Sequence, residues 1–299
     1  MTCEIQCEGA PRDLGFDQGR ARREELRTAF GRQPAWRRCQ QRLGLIGSSA
    51  KPLVRDLTRH FPQHSEVIEG LAHGAALPTA WFAEELARNL AVVRPTPVGY
   101  SVGAVFDASQ SAAGSTVARS LAFDPLVRHS RPEGGFASVE LTLPWSSAAL
   151  AGVNDGGLAA ASVSLTGSFA SGSCAAPAPL LVQDCLARFD SVGGALDWCI
   201  GRPAGGRAVI LLADASGVAV AVDIDGDARR EAPLKDGLVV AGGRDEIAEA
   251  LRAAAPLDYA GMAQILGGRI ACLDPAGGRM GLFDGEAQTG SWFGVAAPC

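Results

Sequence analysis

The period of the apolar residues changes once along this chain, and that change limits the fold more than any single motif does. Up to Pro97 the apolar residues return every three or four positions, the spacing of a helix face; beyond Pro125 they mostly alternate, the spacing of a strand. The segment between reads as a β-hairpin with a long loop. Gly99-Tyr100-Ser101 opens its first strand, residues 107–115 supply turn residues, and Thr116 to Phe123 alternate back. Helices first and strands later, without strict βα alternation, point to antiparallel sheets with helices outside them. Ser101, at the mouth of the hairpin, is either a nucleophile or one more outward hydroxyl.

Before the hairpin, Glu4 to Cys7 alternate as a short strand, and Glu8-Gly9-Ala10-Pro11 turns the chain into a helix that starts near Arg12, runs on to Phe30 and ends at residues 31–34. Gly15 and Gly19 lie four apart, hence on one helical face. Each weakens the helix by about 1 kcal/mol against Ala, so another element is expected to pack close to the backbone there. Further helices are expected from Lys51 to Phe61, over Ser65 to Gly74, and after Thr79, where Phe82, Leu86 and Leu90 share a face. His73 stands one turn beyond Glu69, a spacing that suits an acid–base pair or an ordinary surface pair.

After the hairpin, Val139, Leu141 and Leu143 alternate with Ser138, Glu140 and Thr142. Residues 148–153 and 158–165 are expected to pair across Asn154-Asp155-Gly156-Gly157. Residues 166–179 are a connector or a lid, and 180–189 and 195–200 read as helices. Strands are expected at 208–213, 218–224, 237–241, 279–283 and 291–295, with a helix over 244–266.

The 299 residues, 47% hydrophobic and 20% charged, suffice for one large core, expected as a single domain whose residues 1–96 are mainly helical and 97–299 sheet-rich. No stretch approaches membrane-spanning length without Gly, Pro or charge. The first residues carry acidic groups where a secretory leader has a basic end, so a cytoplasmic location without membrane contact is expected. Eight cysteines show no CxxC pair and no His at ligand spacing, so neither a metal, a disulfide framework nor another cofactor is expected. Residues 1–60 hold 12 Lys+Arg against 7 Asp+Glu, leaving 15 against 25, so the two parts carry +5 and −10. Arg scattered among carboxylates reads as a solvated helix face. With only 2 Tyr and no basic–aromatic interleaving, nucleic acid is not an expected partner.

Several stretches together resemble the acyl-coenzyme A:6-aminopenicillanic acid acyltransferase family of N-terminal-nucleophile hydrolases. Glu8 to Gly19 looks like its opening strand, glycine turn and helix, and Phe61-Pro62 through Glu69 to Gly74 looks like its second helical block. Gly152-Val153-Asn154-Asp155-Gly156-Gly157-Leu158 resembles the family's central β-turn-β, and Ala208 to Ile224 a later hairpin. The resemblance implies an α+β fold, an αββα four-layer sandwich of two antiparallel sheets with outer helices. It also implies a precursor that cleaves itself before a Cys in a Gly-Cys-Thr type sequence, the new terminal amine serving as base for the thiol.

Here the corresponding segment is Gly99-Tyr100-Ser101, so the Cys position aligns with Tyr100, and a phenol cannot perform the N-to-S acyl shift. Where the family carries an Asn/Asp pair on the second hairpin strand, this chain has Arg119-Ser120-Leu121-Ala122 with Asp124 displaced. Where an Asn-His pair helps hold the oxyanion, it has Val240-Ala241-Gly242-Gly243. The leading expectation is therefore a divergent, uncleaved chain acting on a small amine or amino-acid-derived substrate in the biosynthesis of a specialised metabolite, with Tyr100 beside the pocket. Arg119 would bind a carboxylate, sulfate or phosphate, and Asp124 or Asp155 would hold an amine or take a proton. Against these roles stand an ordinary Arg119–Asp124 salt link across the hairpin end and a turn-shaping role for Asp155. Two other readings remain open. One is a non-catalytic subunit with a protein partner, as heterodimer or homodimer; the other is a Ser101-dependent amidohydrolase or acyltransferase cleaved after Tyr100.

Overall fold

The computed structural model describes residues 3–47, 50–89, 103–105, 115–116, 125–164, 174–232, 239–241, 249–250, 253, 264–265, 269–284 and 289–295. Strand β1 (Glu4–Gly9) leads into α1 (Pro11–Ala21) through Gly9, whose φ of 104° makes the turn. Pro11 stands in the first turn of α1, where no N–H is needed, and the Asp13 carboxylate accepts from the Ala10 N–H. The expected long helix is broken in two. α1 stops at Ala21, Arg22 leaves helical geometry at φ −111° and ψ 17°, and α2 (Arg23–Gly31) continues. At the break the Arg22 guanidinium reaches both Cys3 Sγ and the Glu25 carboxylate, contacts that hold it off the helix path.

A short α3 (Ala35–Arg42) follows, which the sequence hides because Trp36 and Cys39 are its only large apolar groups. It is tied by polar bonds: Arg37 and Gln41 donate to Glu84 of α6 (Thr79–Asn89). Helices α4 (Lys51–His60) and α5 (Pro62–Ala75) stand where the apolar spacing puts them.

The partner that Gly15 and Gly19 call for is α5, which brings two glycines of its own. A Cβ placed on Gly15 would lie 2.0 Å from the Val67 carbonyl oxygen, and one on Gly70 would lie 2.0 Å from that of Arg12. Gly19 and Gly74 are similarly closed, by the carbonyl oxygens of Leu71 and Phe16. The two helices thus meet backbone to backbone, a separation only glycine permits.

The main sheet has eight strands in the order β1–β4–β5–β6–β7–β8–β9–β10. These are β4 (Leu126–Pro132), β5 (Ser138–Thr142), β6 (Ala149–Asn154), β7 (Leu158–Ser164), β8 (Arg207–Asp214), β9 (Ala219–Asp225) and β10 (Ala228–Ala232), with α7 (Pro179–Arg188) and α8 (Val192–Gly201) between β7 and β8. Every neighbouring pair is antiparallel except β1 with β4. The turns at 154–157 and 214–217 close through Gly157 and Gly217, both at positive φ.

One face of this sheet, including Ala160, Ile210, Leu212 and Val222, packs into a core with α4 to α8. The other, including Val139, Leu141, Val153 and Leu211, meets a second sheet through Ala271, Leu273, Met280 and Phe293. That second sheet has the order β14–β13–β12–β3, built from β3 (Ser115–Thr116), β12 (Arg269–Asp274), β13 (Arg279–Asp284) and β14 (Thr289–Gly294). The result is a mixed α+β architecture of helices, sheet and sheet. Of residues 244–266, expected as a helix, only 249–250, 253 and 264–265 are described.

The expected hairpin is not formed among the described residues. Its described parts, β2 (Gly103–Val105) and β3, pair with β11 (Val239–Ala241) and β12 respectively rather than with each other. The remainder of the expected hairpin, residues 99–102, 106–114 and 117–123, lies outside the described residues.

The glycine contact yields a direct prediction. Gly15→Ala and Gly70→Ala, which raise helix propensity by about 1 kcal/mol, are expected instead to destabilise the protein by roughly 1–3 kcal/mol through overpacking. Thermal melting checks this, and a higher melting temperature in either variant would contradict the close contact.

Candidate functional site

Of the residues singled out from the sequence, Tyr100, Ser101, Arg119 and Asp124 lie outside the described residues. Asp155 is described, and it is exposed at the β6–β7 turn, where its N–H donates to the Ala137 carbonyl. The His73–Glu69 pair is not made: Glu69 lies 3.9 Å from Arg12, and the His73 ring meets Phe16 edge-on.

A different set of polar groups converges where α1, α5 and α7 cover β4 and β5. Arg128 of β4, almost fully buried, donates from Nε to Glu140 Oε2 at 2.7 Å, with Nη2 2.6 Å from the same oxygen, and from Nη1 to Gln18 Oε1 at 2.6 Å. Its Nη2 also donates to Gln183 Oε1. Glu140 further accepts from Ser130, Ser138 and Gln183. Gln18 turns its amide N–H groups to the carbonyls of Leu143, Pro144 and Ser146 at 3.0–3.1 Å. A buried ion pair is tolerable only when its remaining donors and acceptors are answered, and here two glutamines and two serines answer them.

Beside this network lies a cavity of about 220 Å³, whose walls include Leu14, His64, Arg128, Ser147, Gln183 and Asp184. His64 of α5 is 1% exposed and Ser147 is also 1% exposed. His64 Nδ1 lies 3.3 Å from Ser147 Oγ, and Nε2 lies 3.4 Å from Asp184 Oδ1, near enough for charge contact but without an aligned hydrogen bond. Asp184 of α7 also accepts from Gln63 Nε2 at 2.5 Å and from Trp198 Nε1 at 3.2 Å. Burial pushes the Asp184 carboxyl up, but the nearby His64 ring, the bond from Gln63 and the charge of Arg188 outweigh it, so its pKa lies below the usual carboxylate value. The arrangement is an ionised carboxylate, an imidazole and a hydroxyl in series on a cavity wall.

These residues are far apart in sequence and carry no motif. One signal was present: His64 and Asp184 both occupy inner-face positions of amphipathic helices, His64 in step with Val67, Ile68 and Leu71, and Asp184 beside Leu181 and Cys185. Among the described residues, no group of three or more His, Cys, Asp or Glu side chains could hold a metal ion, and no helix is long and apolar enough to cross a membrane.

No family model matches the chain, and no curated protein matches it. Among solved structures, the fold is similar to an N-acylethanolamine-hydrolysing acid amidase orthologue from Caenorhabditis elegans, at 14% identity and a TM-score of 0.46 over 59% of this chain and 92% of that one. It is similar also to a conjugated bile acid hydrolase from Clostridium perfringens, at 8% identity and 0.43 over 65% and 92%. Penicillin V acylase from Agrobacterium tumefaciens is comparable, at 12% identity and 0.40 over 66% and 78%. At this looseness the likenesses assign no residue of this chain a role.

Two predictions follow from the geometry. Arg128→Met leaves Glu140 buried without its cation and should cost about 3–5 kcal/mol, whereas Arg128→Met with Glu140→Leu should cost markedly less. Chemical denaturation measures both, and a single variant within about 1 kcal/mol of the parent would contradict the clamp. Asp184 has a lowered folded-state pKa, so its contribution to stability is present above the usual carboxyl pKa of about 3.9 and is lost as pH falls through the lower folded value. Asp184→Asn should therefore be less stable than the parent at pH 7, with the gap closing on acidification; a gap independent of pH would contradict the assignment.

Proposed function

We propose that this protein is a divergent amidohydrolase- or acyltransferase-type enzyme of N-terminal-nucleophile architecture that remains a single uncleaved chain. Its substrate is a small amine or amino-acid-derived molecule in the biosynthesis of a specialised metabolite. What supports this reading is the sequence resemblance in which Tyr100 stands where the acyltransferase family has its nucleophilic Cys, in a chain whose helices come mostly before its strands. A phenol there removes self-cleavage, and a site that has lost its chemistry can be reused for another. Tyr100 offers a ring and a hydroxyl, Arg119 the fixed positive charge for an anionic substrate group, and Asp124 a partner for an amine.

A non-catalytic subunit is the second reading, favoured by one described feature. Trp36, Leu43 and Leu45 are 63%, 76% and 56% exposed around α3, next to exposed Arg32 and Arg42. That apolar and cationic face suits a partner subunit whose own surface is acidic.

Intact mass of the purified chain is expected to return one species near 30.8 kDa. Arg119→Ala should weaken binding of an anionic amine-bearing ligand by about 1.5–3 kcal/mol without unfolding the protein. Two fragments divided at Tyr100/Ser101 would make the Ser101 enzyme the better account. Unchanged activity in Arg119→Ala would favour the subunit.

A further inference from the structure

The cavity under α5 and α7 brings a hydroxyl, an imidazole and a carboxylate to one wall. We propose that Ser147, His64 and Asp184 form a second catalytic site, a serine esterase centre for short-chain carboxylic esters, which the resemblance to N-terminal-nucleophile hydrolases does not supply.

His64 is almost wholly inside the protein, and its Nε2 has no aligned hydrogen bond although it faces the Asp184 carboxylate at 3.4 Å. With its proton on Nε2, toward the carboxylate, the ring would present a bare lone pair at Nδ1, and that atom is 3.3 Å from Ser147 Oγ. Asp184 is itself held by Gln63 and Trp198 on either side, so the carboxylate cannot swing away from the ring. Three groups that serve nucleophile, base and orienter are thus in series, and all three border the same cavity.

The cavity selects the substrate class. About 220 Å³ is below the range of drug-sized pockets, roughly 300–1,000 Å³. A short acyl group fits, and Leu14, Val67 and Ala187 on the walls are apolar surfaces for it. Gln18 bonds both the Ser146 carbonyl and the Arg128–Glu140 pair, so the residue before Ser147 is fixed by the buried network.

The chemistry balances with an ester and water alone. As Ser147 Oγ bonds to the ester carbonyl carbon, its proton passes to His64 Nδ1. The carbon–oxygen bond to the alcohol then breaks, and the leaving oxygen takes that proton. Water repeats the sequence on the acyl-serine, giving the carboxylic acid and restoring Ser147.

The test uses the full chain and a small alkyl fluorophosphonate, which phosphonylates activated serines with loss of fluoride. Intact mass should show one adduct per chain, and peptide mapping should place it on Ser147. Ser147→Ala should lose the adduct, and His64→Gln should slow labelling by at least about 100-fold, the lower end of general-base contributions. Because mapping is done on the unsubstituted protein, the result does not depend on either variant folding. Absence of an adduct, or an adduct on another serine, Ser101 included, overturns the proposal. An adduct on Ser101 would count against the Tyr100 reading as well; the other outcomes leave that reading to cleavage and to Arg119.

Discussion

Arg128 keeps its positive charge wherever it is placed, and in this protein it is placed in the interior. The elements around it are arranged to answer that charge. Glu140 comes from the neighbouring strand, Gln18 from α1 and Gln183 from α7, so one guanidinium joins the sheet to two of the helices that cover it. Gln18 then extends the hold to the 143–146 loop, which carries the chain to Ser147. The geometry of the cavity wall is a consequence of this clamp. Replaced by apolar side chains, the same positions would pack as well or better, but nothing would fix where the loop sits.

The glycine contact between α1 and α5 works at the other side of the same region. Backbone-to-backbone packing lets no side chain intervene, so α5 is held at a fixed distance from α1, and α1 carries Gln18. His64 lies in the first turn of α5, upstream of the glycines at 70 and 74. The helix that presents the imidazole is therefore positioned by contacts that tolerate almost no substitution, while the carboxylate opposite it is positioned by hydrogen bonds. Rigid support of both kinds is what a preorganised polar site requires.

Much of the fold was legible in the sequence, and the parts that were not have physical reasons. α4, α5, α6, α7 and the strand pairs around 154–157 and 214–217 follow from periodicity and turn chemistry, and the pair of glycines in α1 announced a close neighbour. α3 was not legible because its hold on α6 is polar, through Glu84, and leaves no apolar stripe. The alternation along β5 was visible, but its polar face meets Arg128 rather than water, and only the tertiary structure shows that Glu140 is buried. The hairpin was anticipated as one unit, whereas its described segments are paired with β11 and β12, partners more than a hundred residues away. The Ser147–His64–Asp184 series was illegible for the same reason: its members are brought together by topology and not by spacing.

The proton position on the His64 ring decides whether Ser147 faces a bare Nδ1. The chain has four histidines, few enough for imidazole nitrogen resonances to be assigned by substitution. Nitrogen-15 NMR of the folded protein at neutral pH measures which ring nitrogen carries the proton. The account predicts protonated Nε2 toward Asp184 and unprotonated Nδ1 toward Ser147. A ring protonated at Nδ1, with its lone pair turned to the Asp184 side, would contradict it.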